Sequence, residues 1–440
     1  MILTRRRTTR LAAVLAGTIA LAACAPSDGS GSDPGTTTET GTGSGGGEDV
    51  TLTFWSWRTE DVEGYEQIFD LYEEANPGVT VEVEAFVNTE YNTVLSTGLA
   101  GEAGPDIAQL RASRADLTPL VAAERLVPVD AENVPSLADF DATVLAGAQV
   151  ADDENVYGVP FAMQTLQMFY NKDLFAEHGI EVPETWEDFL AANETLEAAG
   201  VIPMATTGMD NWMLPVDLAV IGGGYWAAGP LSESLADGSA TLADEGFVDS
   251  IAALQSVTEF FPDNFTGVSY TESQVLFATG QAAMFPGGSW ELGYFQSTAP
   301  DLSVGVFTVP PPPGAPGPAV PAFVDGSFGV NAASEHQEQA LALLDWMGSQ
   351  EFGQAFADTL KQITPISGVE PSDEGLAEII ANYEASPGVH LPVSTFSGGD
   401  PDTQVALATG LQEMFAGTGD PASVAQTYAD AVAEVYPDGP

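Results

Sequence analysis

The sequence predicts an α/β protein of two domains, and three observations carry that reading. Its 440 residues exceed what one ordinary hydrophobic core organises. From Val50 to Ile107 the apolar pattern switches back and forth between the period of a strand and that of a helix, as in a parallel α/β layer. Around Val156–Leu196 a strand, a short helix and a second helix follow one another, so the same character continues beyond the first third of the chain.

Taken in order, Arg5, Arg6, Arg7 and Arg10, an apolar run from Leu11 to Ala23 and then Cys24 read as a secretory leader too short for a permanent membrane span. The arginines match a twin-arginine export signal only loosely. Residues 25–49 are Gly, Ser, Thr and Asp with scattered Pro and Glu, a flexible tether. An alternating strand begins at Val50. A helix from Val62 to Ala75 follows, with Val62, Tyr65, Phe69 and Tyr72 on one side, and Asn76-Pro77-Gly78 stops it. A second strand covers Val79–Phe86, a second helix Tyr91–Leu99, and Gly104-Pro105-Asp106 leads into a third strand at Ile107. Val156–Pro160 reads as an extended piece stopped by proline, and Thr165–Tyr170 as a separate strand. Asn171 caps a short helix that Gly179 ends. Thr185 and Asp188 form a capping box for a helix whose apolar side is Trp186, Phe189, Leu190 and Leu196. The long loop Met204–Pro230 follows; its three glycines at 222–224 lack the spacing of a phosphate cradle. The proline-rich run Pro310–Pro321 is expected to stay out of any sheet. Ser334 and Gln337 suggest another capping box, for a helix burying Ala340, Leu341, Leu344 and Met347. The chain is helical from about Ile366, and no internal repeat is present.

Sixty-four acids stand against ten bases, and only Arg58, Arg111, Arg114, Arg125, Lys172 and Lys361 are basic beyond residue 25. Such a surface repels nucleic acid and anionic headgroups, so no nucleic-acid partner is expected. A solvated, self-repelling surface, suited to a saline habitat, explains the charge; calcium is the lesser reading, since no EF-hand spacing occurs. His178, His336 and His390 are scattered and Cys24 is the only cysteine, so neither a disulfide within the chain nor a metal or other cofactor is expected.

Several of these segments resemble a known family. Gly158-Val159-Pro160, Tyr170-Asn171-Lys172-Asp173-Leu174-Phe175, Thr185-Trp186-x-x-Phe189 and Gly280-Gln281-Ala282-Ala283-Met284 leading to Gly288-Ser289-Trp290 are similar to the extracellular solute-binding proteins of ABC importers, sugar-binding family 1. Val81–Phe86 and Gly104–Ile107 fall where that family carries its second and third strands. The resemblance implies a two-lobed, type II periplasmic-binding-protein-like α/β fold with discontinuous lobes joined by a hinge. Its expected parts are a leader at 1–24, a linker at 25–49, lobe 1 at 50–160 and 325–365, and lobe 2 at 161–324 and 366–440. Crossings are expected near Val159–Ala162, Asp325–Ser327 and Ile363–Ile366. Leu21-Ala22-Ala23-Cys24 likewise resembles the lipobox of bacterial lipoproteins, which implies lipidation at Cys24 and a monomer anchored to the outer face of the cell membrane, working with the permease of an ABC transporter. A buried free thiol, the other reading of Cys24, would need a core that a leader does not enter.

A sugar presents hydroxyls around its rim and apolar faces, so a sugar site needs aromatic plates and planar polar side chains. Loops at strand ends offer Trp55, Trp57, Arg111, Ser113, Arg114 and Gln164 from the first part of the chain, and Asn211, Trp212, Tyr225, Trp226, Trp290, Asp325 and Phe396 from the rest. The family resemblance implies binding loops at Trp57–Glu60, which adds Arg58 and Glu60, at Arg111–Arg114, Gln164 and Trp290, and around Trp212 and Phe396. One of Trp55 and Trp57 is expected in the core and the other, Trp57, toward ligand. For Arg111 and Arg114, a salt bridge and a sugar contact weigh evenly. Trp186 and Trp346 sit on helix faces and are expected in the core. A secreted glycosidase is the competing class, since 64 acids guarantee chance carboxylate pairs. A third reading keeps the fold and changes the ligand to another small polar solute.

Overall fold

Leu52 and Phe54 alternate with Thr51 and Thr53, so the first strand, β1 (Val50–Ser56), turns an apolar face to the core. The computed structural model describes residues 49–437 and 439, apart from 102–103, 151–152 and 154; the leader, Cys24 and nearly all of the tether lie outside the described residues. The other strands are β2 (Val79–Ala85), β3 (Ile107–Arg111), β4 (Val159–Asn171), β5 (Ile202–Met204), β6 (Ala282–Gly288), β7 (Val304–Phe307), β8 (Val320–Val330) and β9 (Pro387–Val389). They form one sheet in the order β2-β1-β3-β8-β4-β6-β5, with β7 also paired to β4 and β9 to β8. β1 runs parallel to β2 and β3, and helices Val62–Ala75 and Asn88–Ala100 make the crossovers.

The long strands β4 and β8 join two halves. Antiparallel to each other, they pair from Val159 opposite Phe328 to Thr165 opposite Ala322, with register irregularities on either side of Ala162. Beyond Thr165, β4 leaves β8 and pairs with β6 and β7. Two hydrophobic cores result. One gathers Phe54, Tyr65, Phe69, Phe161, Phe328 and Phe356; the other gathers Phe169, Trp226, Phe247, Phe285, Phe295 and Tyr428. The core that β4 serves changes between Ala162 and Leu166, and a third segment lies alongside, where the Met163 N–H donates to the Ile363 carbonyl at 2.9 Å. The fold is therefore two-lobed α/β. Ile366 still packs in the first core.

Local expectations fare unevenly. The helix Val62–Ala75, the Asn171 cap and the Thr185–Asp188 capping box are all present. Four readings need correction. Val159–Asn171 is one strand, because Pro160 sits inside it at a register irregularity instead of stopping it. Pro321 does pair within β8: the ladder to β9 is made by the Val320 N–H and the Ala322 carbonyl, so the N–H that proline lacks is not needed. The box at Ser334 is absent, since Ser334 Oγ donates to Asp106 and Gln337 Nε2 donates to the Ala332 carbonyl; the helix Gln337–Met347 buries Leu343 where Leu341 was expected. Trp346 is only half-buried, its indole donating to Glu351 at 2.9 Å.

Candidate functional site

Two walls and a floor meet where the cores come together. The first wall grows from the end of β1. Ser56 Oγ donates to Gln109 Oε1 at 2.7 Å, which fixes the turn that carries Trp57 to Asp61. Trp57 lies in ring contact with Tyr91 and Phe161, and the Arg111 guanidinium covers it at 4.6 Å from the ring centre. Both Trp55 and Trp57 are buried, so the expected division of one core and one open ring is not seen. Arg111 also donates to Asn92 and Asn88, and among the described residues it makes no ion pair. Arg114, exposed in the first turn of Arg114–Ala122, is not drawn into the cluster.

Arg58 is almost wholly buried. Its Nε donates to Asp61 at 2.5 Å, and Nη2 reaches Glu60 at 3.2 Å and the Trp290 carbonyl, in the other lobe, at 3.2 Å. Burial opposes the charge, but Asp61 and Glu60 outweigh it and hold the guanidinium protonated, its pKa above the ordinary value. The floor is a hydrogen-bonded chain: Gln362 donates to Asp61, Gln164 donates to Gln362 and to Asp325, each at 3.0 Å, and Ser289 Oγ donates to Gln164 Oε1 at 2.6 Å. Burial raises the pKa of Asp325, with Gln164, Arg111 and Arg58 acting against it.

The second wall is aromatic. Trp212 meets Tyr270 edge-on at 4.9 Å and Trp290 at 6.5 Å, and Trp290 meets Phe323 at 6.5 Å. Two glycines precede Ser289-Trp290, and a Cβ placed on Gly288 would overlap the Trp290 ring. Asn211 donates to Gln412 at 3.4 Å beside this wall. At another point between the lobes, Ser113 Oγ and Ser397 Oγ share a hydrogen bond at 2.6 Å, and both lie within hydrogen-bonding distance of Asp402 Oδ2, at 3.0 and 2.9 Å, so the hydroxyl that donates to its partner serine leaves the carboxylate to the other.

Besides Arg114, three expected contact residues lie elsewhere. Trp226 is fully enclosed against Phe247 and His390 because the apolar helix Met213–Gly222 and the turn Gly223–Tyr225 carry it into the second core. Tyr225 faces away, its hydroxyl donating to the Pro313 carbonyl at 2.6 Å beside Trp186. Phe396 packs edge-on against Tyr428 in the same core. In their place stand Asp61, Tyr270, Glu291, Phe323 and Gln362, which sequence reasoning missed. Asp61 is three residues from Arg58 and Glu291 adjoins Trp290, but the others carry no local signal.

A family model described as bacterial extracellular solute-binding protein matches residues 55–354. The multiple sugar-binding protein of Streptococcus mutans is 27% identical over 223 residues, spanning 49% of this chain and 53% of that protein. A structure from work on xylan utilization by Caldanaerobius polysaccharolyticus superposes with a TM-score of 0.75 at 22% identity, over 87% of this chain and 99% of the other. The solute-binding protein RafE in complex with raffinose gives 0.71 at 23%, over 88% and 99%. At these identities the structural likenesses establish the fold.

Proposed function

The chain belongs to the bacterial extracellular solute-binding protein family, and from that premise we propose that it captures a sugar or oligosaccharide between its two lobes and delivers it to the permease of an ABC importer. The observation that carries this reading is the meeting of Trp212, Tyr270, Trp290 and Phe323 with the planar polar groups of Arg58, Gln164, Asp325 and Gln362 at the junction of the cores. Indole faces stack on apolar sugar faces, and the amides, carboxylates and guanidinium match hydroxyls. Trp57, Glu60, Arg111, Ser113 and Asn211 complete the proposed site. The hinge is assigned to 159–165 and 322–328, where the two long strands change cores, and to 363–366, the segment that lies beside them at Met163. Anchoring through a lipid on Cys24, action as a monomer and the lack of catalysis belong to the same reading; membrane retention of a fully processed Cys24→Ala variant would remove the anchor from it. Members of the family are solute-binding proteins, which weighs against the glycosidase alternative. Among the described residues no helix is long and apolar enough to cross a membrane.

A thermal-shift screen over raffinose, maltotriose, xylotriose and a set of monosaccharides and non-sugar polyols tests the reading. A ligand at one hundred times its dissociation constant is expected to stabilise by about 2.7 kcal/mol. Stabilisation by none of the sugars, or by a non-sugar solute alone, would overturn it.

A further inference from the structure

Behind the aromatic wall stands a carboxylic acid to which the proposed stacking gives no role. Glu291, the first residue of the helix Glu291–Thr298, is fully enclosed and accepts three hydrogen bonds. The Trp290 indole N–H donates to Oε1 at 2.9 Å, the Tyr270 hydroxyl donates to the same oxygen at 2.6 Å, and Gln274 Nε2 donates to Oε2 at 2.9 Å. The indole also reaches the Tyr270 oxygen at 3.2 Å, so both rings hang from one carboxylate. We propose that Glu291 is a positioning residue of the ligand site, holding the Trp290 and Tyr270 rings in place when ionised and loosening them when protonated, so that binding tightens as pH rises through neutrality. The inference rests on the carbohydrate reading for its ligand arm only.

The charges around Glu291 agree with this. Tyr270 and the uncharged Gln274 face it from the helix Tyr270–Ala278, and Tyr294 lies one turn along its own helix. From the first lobe come Arg58, whose Nη2 holds the Trp290 carbonyl, with Glu60 and Asp61 bound to it. Burial pushes the Glu291 carboxyl up to about 7, with the bonds from Tyr270 and Gln274 and the charge of Arg58 pulling it down and Glu60 adding to the rise. The Tyr270 phenol is driven far upward by burial and by Glu291 itself, so it stays a donor across this range. Protonation would turn an acceptor position of Glu291 into a donor and leave the bonds from the Trp290 indole and the Tyr270 hydroxyl without the charge that strengthens them.

The test has a ligand-free arm and a ligand arm. In the full chain, tryptophan emission of the wild type minus that of Trp290→Phe isolates the Trp290 signal; it should show one step near neutral pH. Glu291→Gln should abolish the step, Glu291→Asp should keep it, and Tyr270→Phe, which removes a donor to the carboxylate and no charge, should move it to higher pH. The tightest of raffinose, maltotriose and xylotriose should lose about tenfold in affinity from pH 8 to pH 6 in the wild type, the worth of one hydrogen bond to a charged group, whereas Glu291→Gln should bind weakly and without pH dependence. A merely space-filling Glu291 would leave the glutamine variant with wild-type affinity and emission. No step in the wild type, or a step that survives in Glu291→Gln, overturns the proposal; should the glutamine variant not fold, an unmoved step in Tyr270→Phe does so. If the wild type binds no sugar yet the emission step behaves as described, the carbohydrate reading fails and the role of Glu291 in fixing the rings stands.

Discussion

At the scale of single residues, tryptophan separates site from scaffold. Trp290 and Trp212 belong to the wall between the lobes, while Trp226 is enclosed in the second core. Stacking a sugar on an indole removes apolar area from water, and at ~25 cal/mol per Å² about 80 Å² is worth about 2 kcal/mol, or roughly thirtyfold in affinity. Trp290→Ala and Trp212→Ala are therefore expected to weaken sugar binding by at least about tenfold; half-buried Trp212 should leave the melting temperature little changed, whereas Trp290, buried and bonded to Glu291, should lower it as well. Trp226→Ala is expected to cost about 3–5 kcal/mol of stability through the cavity it leaves. Calorimetric titration and thermal melts on the three variants separate the effects, and normal binding by the first two would remove the aromatic wall from the site. Sequence alone could separate these tryptophans only in part. Trp290 follows two glycines that let a ring lie over the backbone, a local signal; Trp226 follows three glycines as well, yet only the packing of Met213–Gly222 determines which way it turns.

At the scale of elements, period and caps were legible and long-range pairing was not. The helix Val62–Ala75 and the Thr185–Asp188 box depend on residues a few positions apart, and both form as read. The continuity of β4 through Pro160 depends on β8, some 160 residues later, and Ser334 is claimed by Asp106 from the first lobe. The short strand β9 gives a further case. It pairs with β8 and delivers His390, whose backbone N–H donates to the Ala322 carbonyl at 2.8 Å while its ring sits between Trp226 and Phe323. Complete burial drives its pKa down to about 3, so the ring is neutral in the fold. A depressed base favours the fold above its ordinary pKa near 6.5 and loses that contribution as pH falls toward 3. Melting temperatures should thus fall more steeply from pH 6.5 to pH 4 in the wild type than in His390→Phe. Equal slopes would mean that His390 is solvated or partnered in solution.

At the scale of the molecule, the lobes are joined by bonds the protein makes with itself across hundreds of residues: Arg58 with the Trp290 carbonyl, and Ser113 with Ser397 and Asp402. No spacing rule could have paired residues 232 and 284 positions apart, which is why much of the site was invisible in the sequence while its α/β frame was not. These bonds exist only when the lobes are together, so they favour the closed form before any sugar arrives. On the proposed reading, a sugar then meets a protein already partly populating its binding-competent state, and apparent affinity scales with that population. Ser397→Ala removes the cross-lobe contact of Ser397 with Ser113, leaving Ser113 to Asp402, without touching the aromatic wall. The loss of that one bond, about 1 kcal/mol, should shift the closing equilibrium roughly fivefold toward the open form. Small-angle scattering is expected to give a larger radius of gyration for the ligand-free variant than for the ligand-free wild type, and the same radius for both at saturating sugar. The variant should bind the sugar more weakly by the factor by which its closed population falls, since both quantities report one equilibrium. Identical ligand-free radii would show that the serine contact adds nothing to closure, and closure would then have to be driven by the ligand alone.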